Sequence, residues 1–162
     1  MIRKLHHNAY RCRDSEETRR FYEEFLGLPL SGTLWIKETK SGRKTDTLHT
    51  FYRLGDGSYL AFFEAPDMSF DFKAQHDYDL HIALEVDPGA LEPMLAKGKA
   101  AGIDSRGVID HGFIHSIYFR DPNGYVIELT AKTPEHAREM DPATNGARAR
   151  LAEWSAGRRS TS

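Results

Sequence analysis

The chain of 162 residues has one cysteine, Cys12, so no disulfide can close within it and a disulfide framework is excluded. It has no apolar run near the roughly 20 residues that span a bilayer, and no membrane partner is expected. The N-terminus lacks the apolar segment of a secretory signal, which makes a cytoplasmic location the expectation. An excess of charge is also missing. The formal net charge is -2, and this argues against nucleic acid as a partner although the tail carries Arg148, Arg150, Arg158 and Arg159. What remains is an ordinary globular composition, 40% hydrophobic and 28% charged, enough for one body or for two small modules sharing a core.

The run Leu80 to Val86 alternates strictly, sending Ile82, Leu84 and Val86 to one face and His81, Ala83 and Glu85 to the other. Residues 4 to 12 repeat this in weaker form, with His7, Ala9 and Arg11 on one face. Each run leads into a helix. Asp14-Ser15-Glu16-Glu17 offers an N-cap, and Phe21, Tyr22, Phe25 and Leu26 follow at helical spacing before Gly27. In the second half Asp87-Pro88-Gly89 turns into a helix beginning near Ala90, with Leu91, Met94 and Leu95 as its stripe, Ala101 extending it, and Gly98 weakening it before Gly102.

Strands and turns follow in both halves. Residues 31 to 47 read as strand fragments around a turn at Ser41-Gly42, with Leu34-Trp35-Ile36 the paired piece. Gly55-Asp56-Gly57 joins a hairpin whose second arm places Leu60, Phe62 and Glu64 on one face. In the second half, runs at 107 to 109 and 114 to 119 lead through the turn Asp121-Pro122-Asn123-Gly124 to a strand bearing Glu128. The order strand, helix, hairpin, Glu-bearing strand thus occurs twice. It predicts an α+β fold of two βαβββ modules, 1–67 and 80–131, joined by a linker 68–79. A tail, 132–162, is expected to form short helices over 134–140 and 147–154, with Leu151 and Trp154 as an apolar anchor, and to fray from Gly157.

His7, Glu64, His81 and Glu128 are the candidate metal ligands. Taken singly, a strand histidine is more often a hydrogen-bonded or surface residue. Imidazole and carboxylate together suit divalent zinc, nickel, ferrous iron or manganese, and two glutamates facing one concave sheet would repel each other without a cation or protons.

The segments His7 to Arg11, Phe21 to Gly27, His81 to Val86 and Tyr118 to Leu129 resemble the vicinal oxygen chelate superfamily, which includes glyoxalase I, extradiol dioxygenases and bleomycin or fosfomycin resistance proteins. The resemblance implies paired modules whose sheets curl around one divalent metal, with two chains completing each site in many members. A homodimer is therefore expected, with the tail helix at its interface. By position the resemblance places ligands at His7, Glu64, His81 and Glu128, as in glyoxalase I. It makes Glu128 or Glu64 the base of a lyase or isomerase reaction and matches Arg11 to the arginine that holds a glutathione carboxylate. The asparagine expected four residues beyond Glu64 is replaced by Met68, which speaks against glutathione. The dioxygenase branch implies instead a triad of His7, His81 and Glu128 around ferrous iron, with Tyr118 or His115 steering protons. A drug- or metabolite-binding protein is the third class. His111 lies close to Tyr118 in sequence, as His115 does, and His6, His49, His76 and His136 are left without roles.

Overall fold

Asp14 stands in extended backbone and accepts the Glu17 amide on Oδ1 at 2.8 Å, which starts α1 (Ser15–Arg19) where the cap is expected. The helix continues as a π-helical stretch, Arg20–Phe25, that buries Phe21, Tyr22 and Phe25, and the chain leaves it through Gly27 at φ +80°. The strand ahead of it is shorter than the alternation of residues 4 to 12 predicts. β1 is Tyr10–Arg11 alone, preceded by a single bridge from His7 to Tyr59, because the Asn8 side chain takes the Ala61 amide at 3.2 Å in place of a ladder bond. β2 (Leu30–Glu38), β3 (Lys44–Arg53) and β4 (Tyr59–Glu64) complete a sheet ordered β1-β4-β3-β2. β2 extends well beyond Leu34–Ile36, with register shifts near both ends.

The computed structural model describes residues 1–74 and 76–159. Its second module repeats the first: β5 (His81–Glu85), a 3-10 turn at Pro88–Ala90, α2 (Leu91–Ala100), β6 (Ser105–Asp110), β7 (Ile114–Arg120) and β8 (Val126–Lys132), with sheet order β5-β8-β7-β6. Leu91 and Leu95 are buried on α2, whereas Ala101 is exposed at the helix end and does not extend the stripe. Gly98 has a packing reason to be glycine. A Cβ there would lie 2.4 Å from the Phe119 ring and 2.7 Å from Ser105 Oγ, so α2 can rest on β6 and β7 only without it. Gly98→Ala is expected to lower stability by about 1–3 kcal/mol despite the better helix propensity of alanine. Urea unfolding checks this, and a stabilised variant would show that the contact yields.

Both modules share one apolar cluster, running from Tyr22, Tyr52 and Phe62 to Ile117, Phe119 and Ile127. Buried polar groups fasten the seam between them. Tyr22 donates its hydroxyl to Asp121 Oδ2 at 2.9 Å, and Arg13 donates its amide to Asn123 Oδ1 at 2.9 Å. The linker lies against the end of β1, with the Arg11 and Arg13 guanidiniums 5.2 and 4.6 Å from the rings of Phe70 and Phe72. In the tail, α3 (His136–Glu139) and α4 (Ala147–Arg159) form near the expected positions. α4 runs on through Gly157, where fraying is expected, and residues 160–162 lie outside the described residues. Among the described residues no helix is long and apolar enough to cross a membrane.

Candidate metal centre

Glu128 sits between Ile127 and Leu129 on β8. Those two enter the core, so alternation turns Glu128 to the opposite face of the sheet. There it is 5% exposed and stands across from Ala83 of β5 and Tyr118 of β7. Its Oε1 accepts the Tyr118 hydroxyl at 3.2 Å, and its Oε2 lies 3.3 Å from Nε2 of His81. The other ring nitrogen of His81, Nδ1, is 2.6 Å from the Asp77 carbonyl. A carbonyl can only accept, so Nδ1 carries a proton and Nε2 is the ring nitrogen left to face the Glu128 carboxylate, as a lone pair toward a cation or as a donor. Asp77 is itself held by ion pairs to Arg106 and Arg120, which keeps that carbonyl in place.

A largely buried carboxylate 3.3 Å from an imidazole nitrogen calls for a proton or a cation between them. The donor set fits a divalent metal, with one nitrogen, one carboxylate and the second ring nitrogen fixed by a backbone acceptor. Tyr118 borders the same place. Burial, reinforced by the Glu128 charge, pushes its phenol above the ordinary range, so it stays a donor. His111 Nε2 is 2.9 Å from the same phenol oxygen, and the single phenolic proton cannot serve both neighbours at once. A cavity of about 520 Å³ opens here, with His111, Phe113, Ile109 and Tyr78 on its walls.

His7 lies apart from this group. Its ring neighbours are His6, His49 and Phe51, all from the first module, and its Nδ1 is 2.8 Å from Nδ1 of His6. Beside it, His49 on β3 is 5% exposed and stacks on Phe63 with ring centroids 3.6 Å apart. Burial lowers its pKa, and its Nδ1 lies 2.9 Å from the Phe62 carbonyl. Among the described residues no group of three or more His, Cys, Asp or Glu could hold a metal ion.

Three expected site residues are placed elsewhere. Glu64 shares its face of β4 with Leu60 and Phe62, which enter the core, and accepts the Ser15 amide at 2.7 Å at the start of α1. The strand register explains the displacement. His81 pairs with Val126 and His7 with Tyr59, so the residue corresponding to Glu128 in the first module is Ala61, not Glu64. Arg11 donates Nη2 to the carbonyls of Ala65 and Met68 at 3.0 and 2.8 Å and so holds the start of the linker against β1. His115 belongs to the opposite face of β7 from Tyr118 and pairs with Asp110 at 3.4 Å. His111, in the turn before β7, takes the position beside Tyr118. Cys12 is buried, which pushes its thiol up to about 11 and keeps it protonated.

The two βαβββ modules, one with His7 in the bridge ahead of β1 and the other with His81 on β5, define a duplicated α+β fold. The chain belongs to the Glyoxalase/Bleomycin resistance protein/Dioxygenase superfamily, whose family model matches residues 4–129 and ends before α3 and α4. Among solved structures it is similar to a glyoxalase/dioxygenase from Nostoc punctiforme, at 25% identity over 81% of this chain and 92% of that one, with a TM-score of 0.61. It is also similar to a glyoxylase/bleomycin resistance protein/dioxygenase domain from Frankia sp. EAN1pec, at 18% identity over 82% and 100% of the chains, with a TM-score of 0.66. The fosfomycin resistance protein FosX from Listeria monocytogenes, crystallised with Mn(II) and sulfate, matches at 21% identity over 85% and 99%, with a TM-score of 0.63. No curated protein matches the chain.

Proposed function

We propose that the protein is a metal-dependent enzyme acting on a small substrate that binds the metal through neighbouring oxygens. Its metal is held by three side chains: His81 and Glu128 of one chain and His7 of the partner subunit in a homodimer. The observation that carries this reading is the separation within one chain. His81 and Glu128 meet at 3.3 Å, whereas His7, the third candidate, has its ring and hydrogen-bond partners, among the described residues, in its own module. The Mn(II) bound by FosX supports a divalent ion in this fold.

The ion would supply a centre that polarises both substrate oxygens. The chain's own groups do the rest. The Asp77 carbonyl fixes the His81 tautomer, and Tyr118 holds a proton between Glu128 and His111, where it can be passed to or taken from a bound oxygen. With Glu64 turned toward α1, the three-ligand set favours the ring-cleaving dioxygenase type over the four-ligand isomerase type. Assaying iron-loaded protein with catechols, beside nickel- and zinc-loaded protein with the hemithioacetal of methylglyoxal and glutathione, tests the choice. Turnover of the hemithioacetal alone would reverse it.

Glu64→Ala should bind manganese with unchanged stoichiometry and affinity by calorimetry, while losing about 1 kcal/mol of stability with the lost cap. Loss of metal in that variant would show that the three-ligand set is wrong.

A further inference from the structure

We propose that the substrate carries an alkyl group beside its metal-binding oxygens, and that Ile109, Phe113 and Ile114 form the wall that receives it, fastened by a segment beyond the family domain. That this wall serves a metal-bound substrate rests on the reading above. Its apolar character is read from the second sheet and the tail alone.

The cavity beside Tyr118 has its charges at one end. By the register of β6, β7 and β8, Arg106 and Glu128 both stand opposite Tyr118, and Asp77 is paired with Arg106. His81 and His111 face the same end, one beside Glu128 and the other on the Tyr118 hydroxyl. Ile114 lies four residues back along β7 on the same face, about 13 Å from Tyr118 between Cα atoms. Ser116, between them and opposite Ile109, is fully buried, and its hydroxyl donates to Thr130 at 3.2 Å. Beyond it the cavity meets Ile109, Phe113 and Ile114, all partly exposed. Lys132, opposite Ile114, is paired with Glu85 at 2.7 Å. A polar substituent placed at this end would be desolvated against apolar side chains, whereas each methylene would gain by leaving water.

The wall is held in place before any ligand arrives. Gly112 turns the chain at φ +85°, Asp110 accepts its amide at 2.7 Å, and His111 donates its own amide to the Ile114 carbonyl at 3.0 Å. Thr133 then donates its amide to the Phe113 carbonyl and its hydroxyl to the Gly112 carbonyl, both at 3.1 Å. The Phe113 ring lies 6.0 Å from that of His136 on α3. Thr133 and His136 follow residue 129, where the family match ends, so the support comes from this chain's own tail. A turn tied in this way keeps Phe113 at the cavity, and little order remains to be created on binding.

The experiment titrates metal-free full-length protein, isotope-labelled at its isoleucine methyl groups, with butan-1-ol, hexan-1-ol and 6-hydroxyhexanoate. The Ile109 and Ile114 methyl resonances should shift while that of Ile127, in the core, stays in place. The dissociation constant should fall about two- to fourfold per added methylene, and the terminal carboxylate should abolish the gain. Phe113→Ser and Ile109→Ser should each flatten this dependence on length, and circular dichroism establishes that each variant is folded. Thr133→Val, which loses only the hydroxyl, should weaken hexan-1-ol binding about twofold, and Thr133→Ser should restore it. No dependence on length in wild type, a dependence that survives both serine substitutions, or 6-hydroxyhexanoate bound as tightly as hexan-1-ol overturns the proposal. Equal affinity of Thr133→Val and wild type overturns the part given to the tail. Acetohydroxamate, which chelates through two oxygens, should bind zinc-loaded but not metal-free protein, and this reports on the metal-site reading alone. Hexanohydroxamate should then bind zinc-loaded protein more tightly by the same factor per methylene, and equal affinity of the two hydroxamates would separate the wall from the metal-bound substrate.

Discussion

Mixing His7→Ala protein with Glu128→Ala protein, each inactive by itself, should restore about a quarter of wild-type activity after subunit exchange. The arithmetic comes from symmetry. If each centre takes His7 from one subunit and His81 with Glu128 from the other, a mixed dimer has one centre with both lesions and one with none. Random reassortment makes roughly half of the dimers mixed, and each contributes one of its two centres. If all three ligands came from one chain, every centre in the mixture would lack a ligand and activity would stay at zero. The same mixture should regain tight manganese binding in the same proportion, which calorimetry reads without any knowledge of the substrate. Recovery of neither activity nor metal binding after confirmed exchange would refute the shared site.

Asp121→Ala is expected to cost about 3–5 kcal/mol of folding stability, the largest effect of any single substitution considered. Its two oxygens serve four donors: the amides of Asn123 and Tyr125 on Oδ1 at 2.9 and 2.8 Å, and the Tyr22 hydroxyl and Asn123 Nδ2 on Oδ2 at 2.9 and 3.0 Å. Burial pushes the carboxyl above its ordinary range even so, which shows how little water reaches it. Removing the acceptor strands Tyr22, fully buried in the first module, on the seam with the second. Asp121→Asn keeps one oxygen and should lose less, about 1–2 kcal/mol. Urea midpoints for the two variants check the order, and an alanine variant within 1 kcal/mol of wild type would show that the seam is held by apolar contact alone.

The features that local chemistry dictates were legible in the chain. The Asp14 cap, the exit at Gly27 and the repeated order of elements depend on neighbours in sequence, and they appear where caps and periodicity place them. The candidate ligands depended on strand faces. Leu60, Phe62 and Glu64 share one face and the first two are large and apolar, so parity alone already sends Glu64 toward the core. Glu128 has the opposite parity to Ile127 and Leu129. The two glutamates hold the same place in the repeat but not the same parity, and the register makes Ala61 the counterpart of Glu128. His49 gave no signal because β3 alternates Leu48, Thr50 and Tyr52 with Thr47, His49 and Phe51, faces of similar polarity. His111 lies in a turn, and its role depends on a phenol seven residues away in sequence. Asp77 lies in a stretch without period, where no pattern could single it out.

The contact between the Asp77 carbonyl and His81 gives the linker a second meaning. A tether that only spaced two modules could change its length or sequence freely. This one ends in the group that orients a candidate ligand and is clamped to the second sheet by Arg106 and Arg120. Any insertion, cleavage or exchange of the segment before Leu80 would therefore reach the chemistry directly, so the two halves of the duplication cannot diverge in their spacing without also retuning the imidazole.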